Sequence, residues 1–328
     1  MFVDDYSLIK LIDKGASGEV YFGSKKGSQE NYAIKKIELS RYLKNEKAKK
    51  YLDNGILIMK DINHPNIIKL LDVKINQQFV YIITEFCNGG NLEDFLEKYL
   101  ESNKKALPEE IVQKIFSQVI EAFRYLYNKK IIHRNINLRH ILINYENEYD
   151  RENNNIMKGK IKIINFEFAR YLKKGELAKS VLGCPLTMSP ITLNKSNKLG
   201  YDEKEDIWSL GIICYELLVG KNPFDSHSLL ELFDKINNGY YYIPITLSKE
   251  AISFINCMLK FEPKKRLSVD ELYNHKFLRK NVKDFNKLDL DLIKNYEQNS
   301  KIKINTKTEE LIKEILDEPN FNLKNQEK

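Results

Sequence analysis

The sequence predicts an α+β fold with two lobes, a small and mostly β N-terminal lobe carrying one helix and a larger, mostly α C-terminal lobe. Short runs of alternating apolar and polar residues fill the first 83 positions, which is typical of strands. After residue 90, longer segments repeat apolar residues every three or four positions, as amphipathic helices do. The 328 residues, 42% of them hydrophobic, suffice for a packed core.

Strands are predicted in the N-terminal lobe, about residues 1–86, and a helix interrupts them. The strand segments are "YSLIKLI", "EVYFGSK", "NYAIKKIEL", "IIKLLDVKIN" and "QFVYIITEF", and the helix is "YLKNEKAKKYLDNGILIMKDI". The glycine-containing stretch "CNGG", residues 87–90, is expected to be a hinge because the residue pattern changes there.

The C-terminal lobe is expected over residues 91–278, which completes a domain of residues 1–278. Its clearest helices are "PEEIVQKIFSQVIEAFRYLYNKK" and "EDIWSLGIICYELLVG". Residues 144–160 are polar and are predicted to form an extended surface hairpin loop. The tail, residues 279–328, is predicted to be mostly flexible with one short helix, "EELIKEIL" at 309–316, which could alternatively dock on a partner or on the domain.

Composition argues against several classes of protein. The four cysteines are scattered without a CxxC pair, so we expect neither disulfides nor a zinc site, and a reducing, cytoplasmic location. The first residues, "MFVDDYSLIK", do not resemble a secretory signal, and no apolar run approaches the roughly 20 residues of a membrane span. The net charge of +7 comes from lysines spread along the chain, so nucleic-acid binding is not expected.

A series of motifs then resembles the eukaryotic protein kinase family, in its Ser/Thr branch, over residues 6–278. The motifs occur in the family's order and spacing: "DKGASGEV", "YAIK", "HPNIIKLLDV", "HRN" for HRD, "NFE" for DFG, "MSPI" for APE, "DIWSLGIICYELLVGKNPF" and "EPKKRLSVDEL". The resemblance implies a kinase fold, an ATP pocket between two lobes and phosphoryl transfer assisted by magnesium.

The resemblance also assigns the residues of a nucleotide pocket. Lys35 would reach the α and β phosphates, and Thr84 would stand at the gatekeeper position beside the adenine. The other expected nucleotide-binding positions are Asp13, Gly15 and Gly18 in the glycine-rich loop, Val20, Ala33 and Leu142 around the base, and Glu85 and Cys87 in the hinge. Asp13 replaces a glycine and would repel phosphates; alternatively it is a solvent-facing strand residue without effect on the pocket.

The catalytic positions of the family are, by contrast, degenerate. Asn135 stands for the catalytic base and Asn137 for the neighbouring lysine, so neither the proton acceptor nor that positive charge is present. Asn165 and His140 stand for the two metal ligands, so we expect magnesium not to bind. Gly55 stands where the family has the helix glutamate that pairs with the lysine, and Glu167 stands for the DFG glycine.

The sequence therefore predicts a pseudokinase: a scaffold or allosteric regulator that binds a protein partner, for example an active kinase, and binds ATP at most weakly. One alternative is an atypical active Ser/Thr kinase that recruits Glu167 as a metal ligand, and another is a module that senses nucleotide without turning it over. Ser180 is a candidate phosphorylation site with Arg134 as its partner. Ile191 replaces the APE glutamate, which would leave Arg266 without its carboxylate.

Overall fold

The computed structural model describes residues 1–40, 45–173, 175–193 and 200–279. The described residues divide into two compact units, one formed by Met1–Leu92 with Arg139–Tyr171, and the other by Glu93–Leu138 with the described residues between Leu172 and Arg279. The segment around the NFE motif thus belongs to the N-terminal unit. The expected helix at 309–316 and the rest of the tail after 279 lie outside the described residues.

The regular elements are numbered in chain order. The strands are β1 Phe2–Val3, β2 Tyr6–Gly15, β3 Gly18–Lys25, β4 Asn31–Glu38, β5 Leu70–Ile75, β6 Phe79–Glu85, β7 Ile131–Ile132, β8 Ile141–Asn144, β9 Lys160–Ile163 and β10 Arg170–Tyr171. The helices are α1 Glu46–Asp61, α2 Leu92–Asn103, α3 Glu109–Asn128, α4 Glu148–Glu152, α5 Pro190–Leu193, α6 Lys204–Val219, α7 Leu229–Asn238, α8 Lys249–Met258, α9 Val269–Tyr273 and α10 Lys276–Arg279.

The N-terminal unit is built on an antiparallel sheet with the strand order β1-β2-β3-β4-β6-β5. One face of the sheet buries a cluster of apolar and aromatic side chains that includes Leu8, Ile34 and Ile83. Alternation along β4 places Tyr32 and Ile34 in this cluster, as expected for a half-buried strand. The β-rich lobe predicted from the sequence is confirmed.

Helix α1 is the one long helix described in the N-terminal unit. Asn45 caps its first turn, because its side-chain oxygen accepts the backbone N–H of Ala48 at 3.2 Å. Its apolar residues recur at helical spacing and bury one face, formed by Leu52, Gly55, Ile58 and Met59. A glycine in the middle of this buried face is unusual, since glycine weakens a helix interior by about 1 kcal/mol relative to alanine.

Strands β8 and β9 form the predicted hairpin, with Ile141 opposite Ile163. The segment between them was expected to be an extended loop, and this part of the prediction is wrong, since it contains α4 and a 3₁₀ turn, Ile156–Lys158. Asn147 begins α4 by accepting the N–H of Asp150 at 2.8 Å, and Ile156 is buried. A local cap and the buried side chains of Tyr145 and Ile156 therefore order a segment that is otherwise polar.

The C-terminal unit consists mainly of helices, which confirms the α+β prediction. Helix α6 is buried around nearly its whole circumference, whereas α3 buries only one stripe of residues. Gly220 ends α6 in the left-handed conformation that a helix C-cap favours, at φ +83°. Within the described part of the chain, no helix is both long and apolar enough to cross a membrane.

Candidate functional site

The glycine-rich segment is the tight connection between β2 and β3. Gly18 has a φ of +145°, and a Cβ there would collide with the carbonyl of Lys36, so this position requires glycine. Gly15 has open space around it and carries no such requirement. Asp13 is exposed and accepts the N–H of Lys14 at 2.8 Å, which favours the solvent-facing alternative for its carboxylate.

Among the residues expected around an adenine ring, Val20, Ala33 and Thr84 lie on neighbouring strands of the large sheet, whereas Leu142 lies in the separate β8–β9 hairpin. Strand pairing puts Val20 opposite Lys35 and Ala33 opposite Thr84. Leu142, in β8, pairs with Asn91 through an isolated bridge. The side chains of Val20, Ala33, Thr84 and Leu142 are all only partly buried. Apolar surface on the strands therefore remains available to a flat ligand.

The side chains of the hinge residues Glu85 and Cys87 are both engaged or buried. The carboxylate of Glu85 accepts the N–H of Lys69 at 2.8 Å and the ammonium of Lys162 at 2.6 Å. Any adenine contact at Glu85 is therefore restricted to its backbone. Cys87 is buried, and this burial raises the pKa of its thiol to about 12, so the thiol stays protonated at neutral pH.

Lys35 has a carboxylate partner, contrary to what the loss of the helix glutamate suggested. Its Nζ lies 3.2 Å from Oε2 of Glu167, and both side chains are largely buried, at 24% and 15% exposure. Glu167 belongs to the 3₁₀ turn Phe166–Phe168. Sequence reasoning noted Glu167 as an added charge and as a possible metal ligand, but missed it as the partner of Lys35. The signal was present, because one acid is missing at position 55 and one is gained at 167.

Gly55 and this turn are close neighbours. A Cβ built on Gly55 would lie 2.8 Å from the carbonyl oxygen of Phe166 and 3.2 Å from Cα of Glu167. Both are backbone atoms and cannot rotate away. Position 55 is therefore a close neighbour of the turn that carries the carboxylate paired with Lys35.

The two positions expected to hold a metal are bonded to each other. Nδ2 of Asn165 lies 2.8 Å from Nε2 of His140, where the amide donates and the imidazole nitrogen accepts. The Oδ1 atom of Asn165 is buried and has no hydrogen-bond partner among the described residues. Asn165 adopts the left-handed conformation, at φ +65°, which asparagine tolerates better than most residues.

This donor set does not fit magnesium. Mg²⁺ prefers octahedral oxygen ligands and usually one or two carboxylates, whereas these positions offer one neutral amide oxygen and an imidazole nitrogen already in use. The nearest acid in sequence, Glu167, is paired with Lys35. No group of three or more His, Cys, Asp or Glu side chains within the described residues is arranged to hold a metal ion.

The remaining catalytic positions lie in the C-terminal unit, in a loop anchored by α6. The carboxylate of Asp206 accepts the backbone N–H groups of His133 and Arg134, at 2.8 and 2.7 Å. Burial raises the pKa of Asp206 to about 7. Asn135 and Asn137 follow in this loop with partly buried amide side chains, so neither position supplies a proton acceptor. The loop is therefore held by backbone hydrogen bonds to a buried carboxylate of α6.

The segment around Ser180 is held by Tyr201. Ala178 and Tyr201 exchange backbone hydrogen bonds of 2.8 Å each, and the Tyr201 hydroxyl donates to the carbonyl of Ser180 at 2.6 Å. Arg134, the expected partner of a phosphate on Ser180, is buried and interacts with the Tyr201 side chain. The structure thus places Ser180, Arg134 and Tyr201 together.

The guanidinium of Arg266 was expected to lack a carboxylate at position 191, and it binds backbone carbonyl groups. Its guanidinium donates to the carbonyls of Lys260, Lys204 and Phe261, at 2.7, 2.7 and 3.2 Å. It also lies 5.0 Å from the centre of the Trp208 ring. Burial lowers the pKa of Arg266 to about 10, which nearby acidic side chains oppose. The guanidinium is therefore satisfied without a carboxylate from position 191.

The sequence was compared with models of known protein families. Residues 6–278 match the family model described as protein kinase domain. The chain belongs to the protein kinase domain family, whose members generally use ATP and magnesium.

The similar curated proteins are Ser/Thr kinases. The chain is 33% identical over 287 residues to serine/threonine-protein kinase atg1 of Dictyostelium discoideum, covering 86% of this chain and 40% of that protein. It is 31% identical over 280 residues to serine/threonine-protein kinase ULK3 of Xenopus laevis, covering 84% of this chain and 56% of that protein. The match to probable serine/threonine-protein kinase MARK-A of D. discoideum is also 31%, over 84% of this chain and 24% of that protein. The chain therefore spans about half or less of the length of these relatives.

Proposed function

We propose that this chain is a pseudokinase, a kinase domain that regulates or scaffolds another protein and transfers phosphate at no useful rate. The observation that carries the proposal is the hydrogen bond between Asn165 and His140, 2.8 Å long, which joins the two positions where a kinase holds its metal. Loss of a metal site removes several kcal/mol of charge stabilisation from the transition state.

The base position supports the same conclusion. Asn135 cannot accept the proton of a substrate hydroxyl, and loss of a general base costs about 10²- to 10⁴-fold in rate. Asn137 removes a further positive charge that would assist the transferring phosphate. These groups act together in one transition state, so their combined loss brings turnover close to the uncatalysed rate.

The rival proposal is an active kinase that uses Glu167 as a metal ligand. The ion pair between Glu167 and Lys35, 3.2 Å long, counts against it, because a ligating carboxylate would have to leave the lysine. Separation of a partly buried pair leaves a charge without compensation, which is unfavourable.

The same site supports weak nucleotide binding without magnesium. The partly buried Val20, Ala33 and Leu142 offer apolar surface to an adenine ring, and the backbone of the hinge around Glu85 and Cys87 offers polar groups to its edge. Lys35 is the cation closest to where phosphates bind in this family.

The proposed partner is another protein, for example an active kinase, in the cytoplasm. A fold that retains its packing while its chemistry is lost can still act by binding one conformation of a partner. The four cysteines are free, which suits a reducing compartment. With an active partner kinase, the chain should change that kinase's rate in a saturable way, and this effect should not require Lys35.

The test is a phosphotransfer assay with γ-labelled ATP and magnesium on the wild type, Lys35→Met and, as a matched control, Lys36→Met. We expect all three to show the same background incorporation. Incorporation that Lys35→Met abolishes and Lys36→Met retains would show that the chain itself is an active kinase.

A further inference from the structure

A surface cavity of about 400 Å³ lies in the N-terminal unit, between the end of α1 and the edge strand β5. Its apolar lining comes from Met59 and Ile62 on the helix side and from Leu70, Leu71 and Val73 on the strand side. A volume of this size is in the range of cavities that bind ligands, so it can accept large apolar side chains.

Leu71 lies at an irregularity in β5. The residues before and after it pair with consecutive residues of β6, so Leu71 has no opposite residue there, and its side chain is 39% exposed. A bulge of this kind changes the direction of a side chain. On α1, Leu57 is 59% exposed, one helical turn before Lys60. Exposed leucines beside a cavity indicate a surface that another segment can cover.

Two lysines give the rim of this cavity a positive charge. Lys60 and Lys69 line the cavity and are exposed, and no carboxylate among the described residues lies within ion-pair distance of either ammonium group. Asp72 also lines the cavity, but its carboxylate is paired with Lys74 at 3.3 Å. A segment that complements this surface therefore supplies apolar side chains together with carboxylates.

The chain contains a segment of this composition after residue 279. Residues 309–318, "EELIKEILDE", include five acidic residues and one lysine. Their spacing predicts a helix with one apolar stripe, formed by Leu311, Ile312, Ile315 and Leu316. On that predicted helix, Glu309 and Glu314 border the stripe on either side.

The connection to this segment does not restrict where it binds. Residues 280–308 separate it from Arg279, which makes a connection of 29 residues. An extended chain spans at most about 3.6 Å per residue, so the connection reaches to about 100 Å. Because the segment belongs to the same chain, its binding is intramolecular, and a modest intrinsic affinity suffices to keep it bound.

We infer that residues 309–318 dock as an acidic amphipathic helix on the cavity between α1 and β5. Its carboxylates meet Lys60 and Lys69, and its apolar stripe covers Leu71 and Leu57. The inference goes beyond the proposed function and needs neither nucleotide nor phosphate transfer. A protein partner with the same chemistry would have to displace this segment before it could bind here.

The first experiment is carbodiimide crosslinking of the full chain at low concentration, which joins a lysine to a carboxylate only where the two are in contact. Mass spectrometry of the monomer then locates the crosslinks. We expect crosslinks from residues 309–318 to Lys60 or Lys69 at a yield about fivefold or more above that to Lys47, an exposed lysine at the start of α1. Equal yields at these lysines would overturn the inference. Crosslinks found only in dimers would place the segment on a second copy and overturn intramolecular docking.

Hydrogen exchange of the full chain tests the charges. We expect the amides of residues 311–318 to exchange about tenfold or more slowly than an unstructured peptide of this sequence, because a docked helix protects them. Lys60→Glu combined with Lys69→Glu should remove this protection. Lys47→Glu combined with Lys49→Glu makes the same change of net charge at exposed positions of α1 and should leave the protection intact.

Reversal of the segment's own charges completes the test. Glu309→Lys combined with Glu314→Lys should also remove the protection, and it leaves the described part of the chain unaltered. All four substitutions together should restore the protection, since each charge again meets its opposite. Absence of protection in the wild type, or protection that persists in either charge-reversed variant, would overturn the inference. Either result would leave the proposed pseudokinase function standing, because no step of these measurements depends on it.

Discussion

The amide nitrogen of Asn165 donates a hydrogen bond to Nε2 of His140 across 2.8 Å, which joins the two side chains that stand at the expected metal-ligand positions. An amide and an imidazole bonded in this way have no net charge. In the proposed pseudokinase, repair of one position would leave the second metal ligand, the base and the neighbouring lysine absent.

We accordingly expect Asn135→Asp and Asn165→Asp, made separately, to remain at the background rate of phosphate transfer. Groups that act together in one transition state do not recover activity one at a time. The measurement is incorporation from γ-labelled ATP with magnesium. Robust turnover by either single variant would mean that the rest of the site is organised for catalysis after all.

Arg266 provides a test of how the C-terminal unit is held together. Arg266→Met removes the donors to three carbonyl groups and should destabilise the fold by about 2–4 kcal/mol. Arg266→Lys should recover only part of this, because an ammonium does not reproduce the planar fork of a guanidinium. Chemical denaturation measures the loss, with the exposed neighbour Lys265→Met as control. Equal stability of the Arg266→Met variant and this control would contradict the structure.

Tyr201 is expected to hold the segment around Ser180 without phosphorylation. Tyr201→Phe removes the hydroxyl that donates to the Ser180 carbonyl and should cost about 1 kcal/mol. Limited proteolysis should then cut faster near Ser180, whereas Tyr240→Phe, at a half-exposed ring, should cut at the wild-type rate. If phosphate on Ser180 were required for order, the unmodified wild type would already be cut as fast as the variant.

Glu216 gives a pH-dependent prediction. Its pKa is raised from 4.5 to about 7, first by burial and further by Glu93, while the amide of Asn222, 2.8 Å away, opposes the shift. The folded state therefore binds this proton more tightly than the unfolded state does, and the charge on Glu216 reduces stability as the pH rises from about 5 to 8.

Glu216→Gln keeps an acceptor for Asn222 and removes the charge. It should be nearly neutral at pH 5 and stabilising at pH 8, by about 1–2 kcal/mol after allowance for partial exposure of the side chain. Thermal unfolding at both pH values measures this, with Glu97→Gln on the exposed face of α2 as control. A benefit that is the same at both pH values would show that Glu216 does not titrate in this range.

The sequence was sufficient to predict the strands and helices that show hydrophobic periodicity, and to locate the motif positions. Alternation in β4 and the apolar stripe of α1 are local patterns, so both elements were predictable. The pair of Lys35 and Glu167 was not predictable, since the two residues are 132 positions apart in the sequence and meet only in the folded chain. Helix α4 was missed because it depends on a single asparagine cap in a polar segment. The backbone carbonyls that bind Arg266 could not be predicted, because the sequence motif indicated only that its usual carboxylate is absent at position 191.

The central claim is that no metal site joins this domain to the phosphates of ATP. Calorimetry of ATP binding, with magnesium and with EDTA, tests it most directly. His140→Asn combined with Asn165→Asp restores the family's two ligands and serves as the positive control, which should bind ATP more tightly with magnesium. For the wild type we predict affinities within a few-fold of each other under the two conditions. A gain of tenfold or more with magnesium, about 1.4 kcal/mol of linkage, would contradict the claim and favour an active kinase.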